Sequence, residues 1–454
     1  MSPGRNLSLV MIMVMAHILR EERPAGLYPA GGVGHPLLHG LIRVGWHILP
    51  PDPGVSHVRD LGYGDLGCYG ADDVRTPQLD RFAAEGLRLT SCYASHPNCS
   101  PSRIGLMTGR TPTRAGVRNW IPHDSPVHVR RSEITVATLL KRAGYSTCHV
   151  GKWHMNGGLN QATQPQPGDR GFDHWFSTQN NALSNHRNPD NFVRNGQPVG
   201  RLEGYAAHIV VDEAIRWLSG GRDKSKPFFL YACFHEPHEP IASGPKYTQM
   251  YASDDPSYGA HHGNNTQMDD AFGRLLRALD EQGARQNALI MFTSDNGPAI
   301  TAQHPHGSAG PLRDKKRSLY EGGIRVPGIL QWPGKIKPGS VSDEPMCGVD
   351  FLPAACEIAG IQSPHDRVRD GASMLPMLAG QPIVRSEPLY WHFYLATSEP
   401  KVALRTGDCK ILATLDKAQV PRTNDITEQD ERLDRMHLAM ARHMRIPSQN
   451  GTLA

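Results

Sequence analysis

The strongest constraint on the fold is an alternation of helix-like segments with short apolar runs, which begins near residue 61. The apolar runs fall at residues 145–150, 227–234 and 288–293, and the segments with helical spacing at 76–86, 134–143, 205–218 and 268–279. Such alternation is typical of a mainly parallel sheet covered on both faces by helices. The sequence therefore predicts an α/β fold.

Each apolar run ends in a polar, loop-like motif. Lys152 and His154 follow the first run, His238 follows the second, and Asp295 and Asn296 follow the third. Open α/β sheets build their sites along the carboxyl ends of the strands. We therefore expect these five side chains, distant in sequence, to converge at one edge of the sheet.

Composition excludes several classes of function. The chain has 454 residues, 20% of them charged, and a formal net charge of only +4, so it has no strong attraction to nucleic acid. Its eight cysteines show no Cys-x-x-Cys pairing and no zinc-ligand spacing. In a chain of this length they do not make a disulfide framework, and they leave the redox compartment open.

The pattern changes toward the carboxyl end. Residues 389–392 and 402–412 have the character of strands in a small antiparallel unit, and residues 423–442 are charged and helix-prone. We predict a catalytic α/β domain at residues 59–380 and a smaller C-terminal α+β subdomain at residues 381–454.

Residues 1–58 form an atypical N-terminal segment. Its apolar run at residues 9–16 follows Arg5 and is too short to span a bilayer, so no transmembrane segment is predicted. The run suits either a signal-peptide core or a buried strand. The first alternative favours a periplasmic or secreted protein, and the second leaves a cytoplasmic location open.

The segment Cys99-Ser100-Pro101-Ser102-Arg103 carries the most chemical information. Helix-like residues follow Pro101, so Cys99 is predicted at a helix N-terminus, where backbone N–H groups and the helix dipole favour anions. The plainer interpretation is a buried thiol that fills apolar space.

Other polar groups complete a candidate site. Asp60 precedes a Gly-rich turn, and Asp295 with Asn296 offers oxygen ligands of the kind that calcium or magnesium prefers. Lys316 precedes the segment 320–327 and adds a cation. Taken alone, each of these residues fits a plain turn, loop or solvated surface position better than a catalytic one.

Taken together and in this order, the motifs resemble those of the formylglycine-dependent sulfatase family of the alkaline phosphatase superfamily. The resemblance covers about residues 60–412. It implies an alkaline-phosphatase-like sheet sandwiched by helices, with a smaller C-terminal antiparallel sheet plus a helix. It also implies a sulfuric ester hydrolase of the arylsulfatase or N-acetylgalactosamine-6-sulfatase type.

The resemblance also implies the roles of the residues around position 99. Cys99 would be converted to formylglycine by a modifying enzyme that reads Pro101 and Arg103, and Arg103 would hold the aldehyde hydrate. A calcium ion would be bound by Asp60, Asp295, Asn296 and an oxygen of the modified Cys99.

The remaining roles follow from the same resemblance. Lys152, His238 and Lys316 would contact the sulfate, and His238 or Lys316 would protonate the leaving alcohol. His154 would accept a proton from the hydrate, which then expels sulfate.

One position departs from the family pattern. The family has two adjacent aspartates after an apolar strand, whereas here Arg59 precedes Asp60 and residues 50–54 cannot form a central strand. Three explanations are open. The N-terminal reading frame is damaged, or residues 9–15 are the missing strand and an insertion separates them from Asp60, or the protein is a true variant that binds metal weakly or not at all.

The predicted substrate is a sulfated carbohydrate or an aryl sulfate, and the similarity of residues 310–327 to carbohydrate-type members favours the glycan. The alternatives are a phosphodiesterase or phosphonate hydrolase that uses the same aldehyde, and a degenerate member that binds without turnover. Residues 179–194 and 302–308, with His304 and His306, are the candidate specificity loops.

Overall fold

The computed structural model describes residues 8–15, 61–302 and 305–414. Predictions on Arg59, Asp60, His304 and the helix-prone stretch 423–442 lie outside these described residues.

The elements follow in chain order. The helices are α1 (Pro77–Ala84), α2 (Cys99–Thr108), α3 (Val136–Arg142), α4 (Ala206–Arg216), α5 (Pro245–Thr248), α6 (Pro256–Glu281), α7 (Glu321–Ile324), α8 (Phe351–Ile358) and α9 (Leu375–Leu378). The strands are β1 (Ser8–Met15), β2 (Leu87–Leu89), β3 (Cys92–Tyr93), β4 (Ser146–Lys152), β5 (His174–Thr178), β6 (Val193–Arg194), β7 (Gln197–Pro198), β8 (Phe228–Pro237), β9 (Ala288–Ser294), β10 (Gly328–Gln331), β11 (Ser340–Ser342), β12 (Met346–Cys347), β13 (Leu389–His392), β14 (Val402–Thr406) and β15 (Cys409–Ala413).

A ten-stranded sheet forms the centre of the molecule, in the order β11-β2-β10-β9-β1-β8-β4-β5-β6-β7. Strands β9, β1, β8, β4 and β5 run parallel, whereas β10 is antiparallel to both its neighbours and β6 and β7 are antiparallel at the other end. The predicted mainly parallel α/β fold is confirmed, with mixed edges.

Two apolar layers flank this sheet because alternate side chains of a strand face opposite sides. In β8, Phe229 and Tyr231 join one hydrophobic cluster with residues of α2, α3 and α8. Phe228 and Leu230 join a second cluster with residues of α1, α4 and α6. Strands β4, β8 and β9 are buried along their whole length, which explains their nearly continuous apolar sequences.

The N-terminal run is the main surprise of the fold. Strand β1 lies between β8 and β9, with Ile12 opposite Ala232 and Phe292. The strand that residues 50–54 cannot supply before the Gly-rich turn is therefore present in the sheet, and it comes from residues 8–15. Of the two interpretations of residues 9–16, the structure has the strand.

The predicted helices and strands occur close to their expected positions, except that α6 begins much earlier than residue 268. Asp255 caps this helix by accepting a hydrogen bond from Ser257 N at 2.8 Å, and Pro256 stands at its first position. The polar sequence of its first half hid this helix from a periodicity argument.

The predicted small antiparallel sheet is confirmed as β13-β14-β15. It packs against the main body through Trp391, whose indole Nε1 donates a hydrogen bond to Ala94 O at 2.8 Å. Within the described residues, no helix is both long enough and apolar enough to span a membrane.

Candidate active site

The candidate site lies at the carboxyl edge of the parallel strands. Lys152 is the last residue of β4, His238 directly follows β8, and Asp295 directly follows β9. Strand β1 ends at the same edge, where Val14 pairs with Ser294 and Met15 with Pro237.

Cys99 is the first residue of α2 and is fully buried. Asn98 caps the helix, and its Oδ1 accepts a hydrogen bond from Cys99 N at 3.3 Å. The Asn98 side chain is itself held by Asn119, to which its Nδ2 donates at 2.9 Å. The Cys99 side chain therefore has a fixed place at the positive end of a ten-residue helix.

Lys316 reaches Cys99 from a distant loop, with its Nζ 4.0 Å from the Cys99 Sγ. Two backbone hydrogen bonds of 2.9 Å hold this loop, from Lys316 N to Pro298 O and from Arg317 N to Pro97 O. The second bond ties the loop to the segment just before α2, so the ammonium group is placed at the thiol by backbone structure.

Arg103 lies one helical turn after Cys99 and joins two strand ends. Its Nε donates to Asp295 Oδ2 at 3.2 Å and its NH1 to Lys152 O at 2.7 Å. Both charged side chains of the Arg103–Asp295 pair are fully buried. This arrangement ties α2, β4 and β9 together directly behind Cys99.

Lys152 is a buried cation, and its Nζ has no hydrogen-bond partner within the part of the chain that the structure describes. Burial lowers its pKa to about 7, and the neighbouring Arg103 and Lys316 act in the same direction, although Cys99 and Asp295 oppose them. The residue before it must be glycine, because Gly151 has a φ of 95° and lies so close to Cys233 O that a side chain would not fit.

His154 adopts a left-handed backbone conformation with φ 56°. Its ring Nε2 lies 2.9 Å from Ile121 O, and its backbone N donates to Gln179 O at 2.8 Å. Since a carbonyl oxygen only accepts, Nε2 carries the proton, and the basic lone pair of the neutral ring is on Nδ1. Ile121 N donates in turn to Ser100 Oγ at 3.0 Å, which links His154 to the start of α2.

His238 follows β8 in a short loop. Its ring Nδ1 donates to Glu239 O, and its backbone N donates to His235 O at 2.9 Å. The same tautomer argument places the basic lone pair of this neutral ring on Nε2.

The oxygens proposed as metal ligands suit a hard cation. Asp295 Oδ1 and Asn296 Oδ1 are buried and have no hydrogen-bond partner among the described residues. The Asn296 amide donates to Gly297 O at 2.9 Å, so its oxygen points elsewhere. Calcium takes six to eight oxygens, so these two supply part of a set. No group of three or more His, Cys, Asp or Glu residues in the described ranges is arranged to hold a metal.

Sequence reasoning assigned no positioning role to three groups, one of which, Gln179, was predicted only as the start of a specificity loop. Asn98 was readable as a helix cap from its type and its place before Cys99. Gln179 directly follows β5, so the tendency of sites to lie at the carboxyl ends of strands could have identified it. Asp65 accepts hydrogen bonds from Gly62 N and, at 2.8 Å, from Ser308 N, so it holds the Gly-rich turn against the candidate specificity loop.

The described part of that loop has one histidine, His306. Its Nε2 lies 2.7 Å from Ser257 Oγ and 3.0 Å from Asp255 Oδ2, which ties the loop to the start of α6. All eight cysteines are free thiols, as expected for a chain without a disulfide framework.

Comparisons with known proteins give matches over most of the chain. Residues 58–361 match the Sulfatase family model, and residues 312–437 match the model of the C-terminal part of N-sulphoglucosamine sulphohydrolase. The chain is 35% identical to rat (Rattus norvegicus) N-acetylgalactosamine-6-sulfatase over 369 residues, which cover 76% of this chain and 68% of that protein. It is 32% identical to human (Homo sapiens) arylsulfatase A, in an alignment that covers 80% of this chain and 74% of that protein.

Solved structures give the same fold. The carbohydrate-bound structure of Ps i-CgsB has a TM-score of 0.74 at 23% identity, with 97% of this chain and 92% of that chain covered. The PsFucS1 sulfatase from Pseudoalteromonas sp. has a TM-score of 0.69 at 24% identity, and the match covers 97% of this chain and 91% of that chain. The chain thus belongs to the sulfatase family and is a sulfuric ester hydrolase.

Proposed function

We propose that this enzyme releases inorganic sulfate from a sulfated carbohydrate, with a nucleophile made from Cys99. The observation that carries the proposal is the buried Cys99 at the N-terminus of α2 with Lys316 Nζ 4.0 Å from its Sγ. The similarity to N-acetylgalactosamine-6-sulfatase supports a sugar sulfate over a simple aryl sulfate.

Formylglycine at position 99 would supply a hydrated aldehyde. One hydroxyl would attack sulfur and displace the sugar oxygen, and loss of the proton from the other would expel sulfate and regenerate the aldehyde. A modifying enzyme that converts Cys99 is therefore a partner of this chain. A serine accepts a sulfate group but lacks the second hydroxyl, so it needs a separate water to lose that group.

Three cations offset the charge of the sulfate. Lys316 lies 4.0 Å from Cys99, and Lys152 is the last residue of β4. Arg103 donates hydrogen bonds to Asp295 and to the Lys152 carbonyl. Buried cations that are already in place stabilise charge that develops on the equatorial oxygens without a reorganisation cost.

Two imidazoles serve proton transfer. His154, with its basic lone pair on Nδ1, accepts the proton of the second hydroxyl of the hydrate. Lys316, or His238 once its Nε2 is protonated, donates a proton to the leaving oxygen, as general acid catalysis requires.

The residues present suit a calcium ion. Asp295 and Asn296 would hold it with Asp60 and an oxygen at position 99, and the ion would polarise the sulfate. We also propose the division into residues 1–58, 59–380 and 381–454, with the first segment contributing β1 to the catalytic sheet.

A direct experiment tests this function. The protein is produced with a formylglycine-generating enzyme, the peptide around Cys99 is weighed by mass spectrometry, and release of sulfate from N-acetylgalactosamine 6-sulfate and from aryl sulfate is measured. We expect a Cys99 peptide with the mass of formylglycine and turnover that a calcium chelator abolishes. An unmodified Cys99 in an active protein, or faster cleavage of aryl phosphate than of aryl sulfate, would contradict the proposal.

A further inference from the structure

A cavity of about 610 Å³ lies beside the start of α4. It is lined by Arg187, Asn188, Arg201, Glu203, Gly204 and Tyr205. No residue of the proposed catalytic set lines this cavity, so it is separate from the site around Cys99.

The cavity wall is built by backbone pairing of two loop segments. Asn188 N donates to Gly204 O at 2.7 Å, and Gly204 N donates back to Asn188 Oδ1 at 2.8 Å. Leu202 N donates to Pro189 O at 2.8 Å, and Arg187 forms a bridge with Tyr205. These paired segments hold the cavity in one shape before any ligand binds.

The charge of the cavity favours anions. Arg187 and Arg201 are exposed, and neither guanidinium makes an ion pair or hydrogen bond with any described residue. Glu203 is the one acidic residue among the lining residues, so the lining has an excess of one positive charge. Arginine binds sulfate and carboxylate through two parallel N–H donors, which suits flat or tetrahedral oxyanions.

The cavity lies at the same edge of the sheet as the active site. His186 N donates to Pro240 O at 3.3 Å, which places Arg187 beside the loop that carries His238. At about 3.8 Å per residue, this path puts the Cα atoms of Arg187 and His238 roughly 20 Å apart at most. An oligosaccharide of a few sugar units spans such a distance.

We propose that Arg187 and Arg201 form a subsite for a second anionic group, a sulfate or a uronate carboxylate, on another sugar of the substrate. The proposal rests on the sugar sulfatase function and makes it more specific, because it names a polyanionic glycan as the substrate class. A small aryl sulfate reaches only the site around Cys99 and makes no contact with this subsite.

Binding of a sulfated tetrasaccharide tests the subsite without relying on turnover. We expect Arg187→Ala and Arg201→Ala each to raise the dissociation constant of the tetrasaccharide, measured by calorimetry, by about tenfold, because each variant loses a charge-assisted contact. Glu203→Gln removes the one negative charge among the lining residues, so it should lower the dissociation constant of the tetrasaccharide. In all three variants, kcat/KM for aryl sulfate should stay unchanged.

Arg277→Ala is the matched control, since Arg277 is an exposed arginine near the C-terminal end of α6 that lines no part of the cavity. Equal loss of binding in Arg277→Ala, or wild-type binding in the Arg187→Ala, Arg201→Ala double variant, would overturn the subsite. A desulfated tetrasaccharide that retains its carboxylates distinguishes the two anions. Failure of wild-type enzyme to cleave any sulfate ester would instead count against the proposed function.

Discussion

Lys316 Nζ lies 4.0 Å from Cys99 Sγ, although 217 positions separate the two residues in the chain. This contact places a cation at the proposed nucleophile from outside α2. Because Lys316 and Cys99 are both buried, the interaction is weakly screened by solvent.

Replacement of Lys316 tests this relationship. We expect Lys316→Ala to lower kcat by about a hundred- to a thousandfold, the usual effect of removing one stabilising group from a charged transition state. Lys316→Arg should recover part of the activity because it keeps the charge. Lys337→Ala, at an exposed lysine, serves as the control, and equal losses in the two alanine variants would show that Lys316 has no special role.

Cys99→Ser separates the aldehyde mechanism from simple hydroxyl catalysis. We expect at most one sulfate transferred per enzyme molecule, because a serine lacks the second hydroxyl. Quenched-flow measurement of product, with mass spectrometry of the modified peptide, gives the stoichiometry. Cys409→Ser changes an exposed thiol and should leave activity intact. Sustained turnover by Cys99→Ser would rule out the formylglycine route.

The pH profile should depend on Lys152. Its pKa is lowered to about 7, mainly by burial, so the side chain is charged below pH 7 and neutral above it. Since only the charged form attracts sulfate, kcat/KM should fall as pH rises through about 7. Lys152→Arg should move this descending limb to higher pH, because a guanidinium stays charged. An identical limb in wild type and Lys152→Arg would assign it to another group.

The buried pair of Arg103 and Asp295 should matter for stability. Asp295→Ala leaves the Arg103 guanidinium buried without its counter-ion, which costs about 3–5 kcal/mol of unfolding free energy. Urea unfolding, with and without a calcium chelator, measures this cost apart from metal binding. Asp366→Ala breaks an exposed pair with Arg367 and should leave the unfolding midpoint unchanged. Matching stabilities of the two variants would contradict this account.

The N-terminal strand leads to a prediction about chain length. Strand β1 ends beside Ser294 and Pro237. Gly62, near the start of the next described segment, lies against Pro298 and Ser308. The two ends that residues 16–60 connect therefore lie at the same edge of the sheet. Deletion of residues 17–59 should therefore preserve the fold and raise the melting temperature, since a shorter connection costs less closure entropy.

The same deletion removes Arg59 from beside Asp60. We expect higher calcium affinity in the shortened protein, because like charges repel, and a larger gain in the full chain with Arg59→Asp, which replaces the cation with a second carboxylate. Isothermal titration with calcium measures both. Loss of folding on deletion, with retained folding in Arg59→Asp, would show that residues 17–59 are part of the structure.

The alternation of apolar runs with helical segments was enough to predict the sheet, because strands buried on both faces must be apolar throughout. It was not enough for residues 9–16, where an eight-residue apolar run suits a central strand and a signal core equally well. Only pairing with β8 and β9 distinguished them, since periodicity records burial and not the identity of the neighbour.

For the candidate site, the sequence by itself predicted the chemical groups: a cysteine at a helix start, cations and imidazoles after strand ends, and side-chain oxygens of Asp295 and Asn296 that suit a hard cation. The tertiary structure alone decided that Lys316 reaches Cys99, that Arg103 pairs with Asp295, and that Arg187 and Arg201 line one cavity. These contacts join residues far apart in the chain, and they form only when hydrogen-bonded loops close against the packed sheet. Local sequence patterns carry no record of such closures.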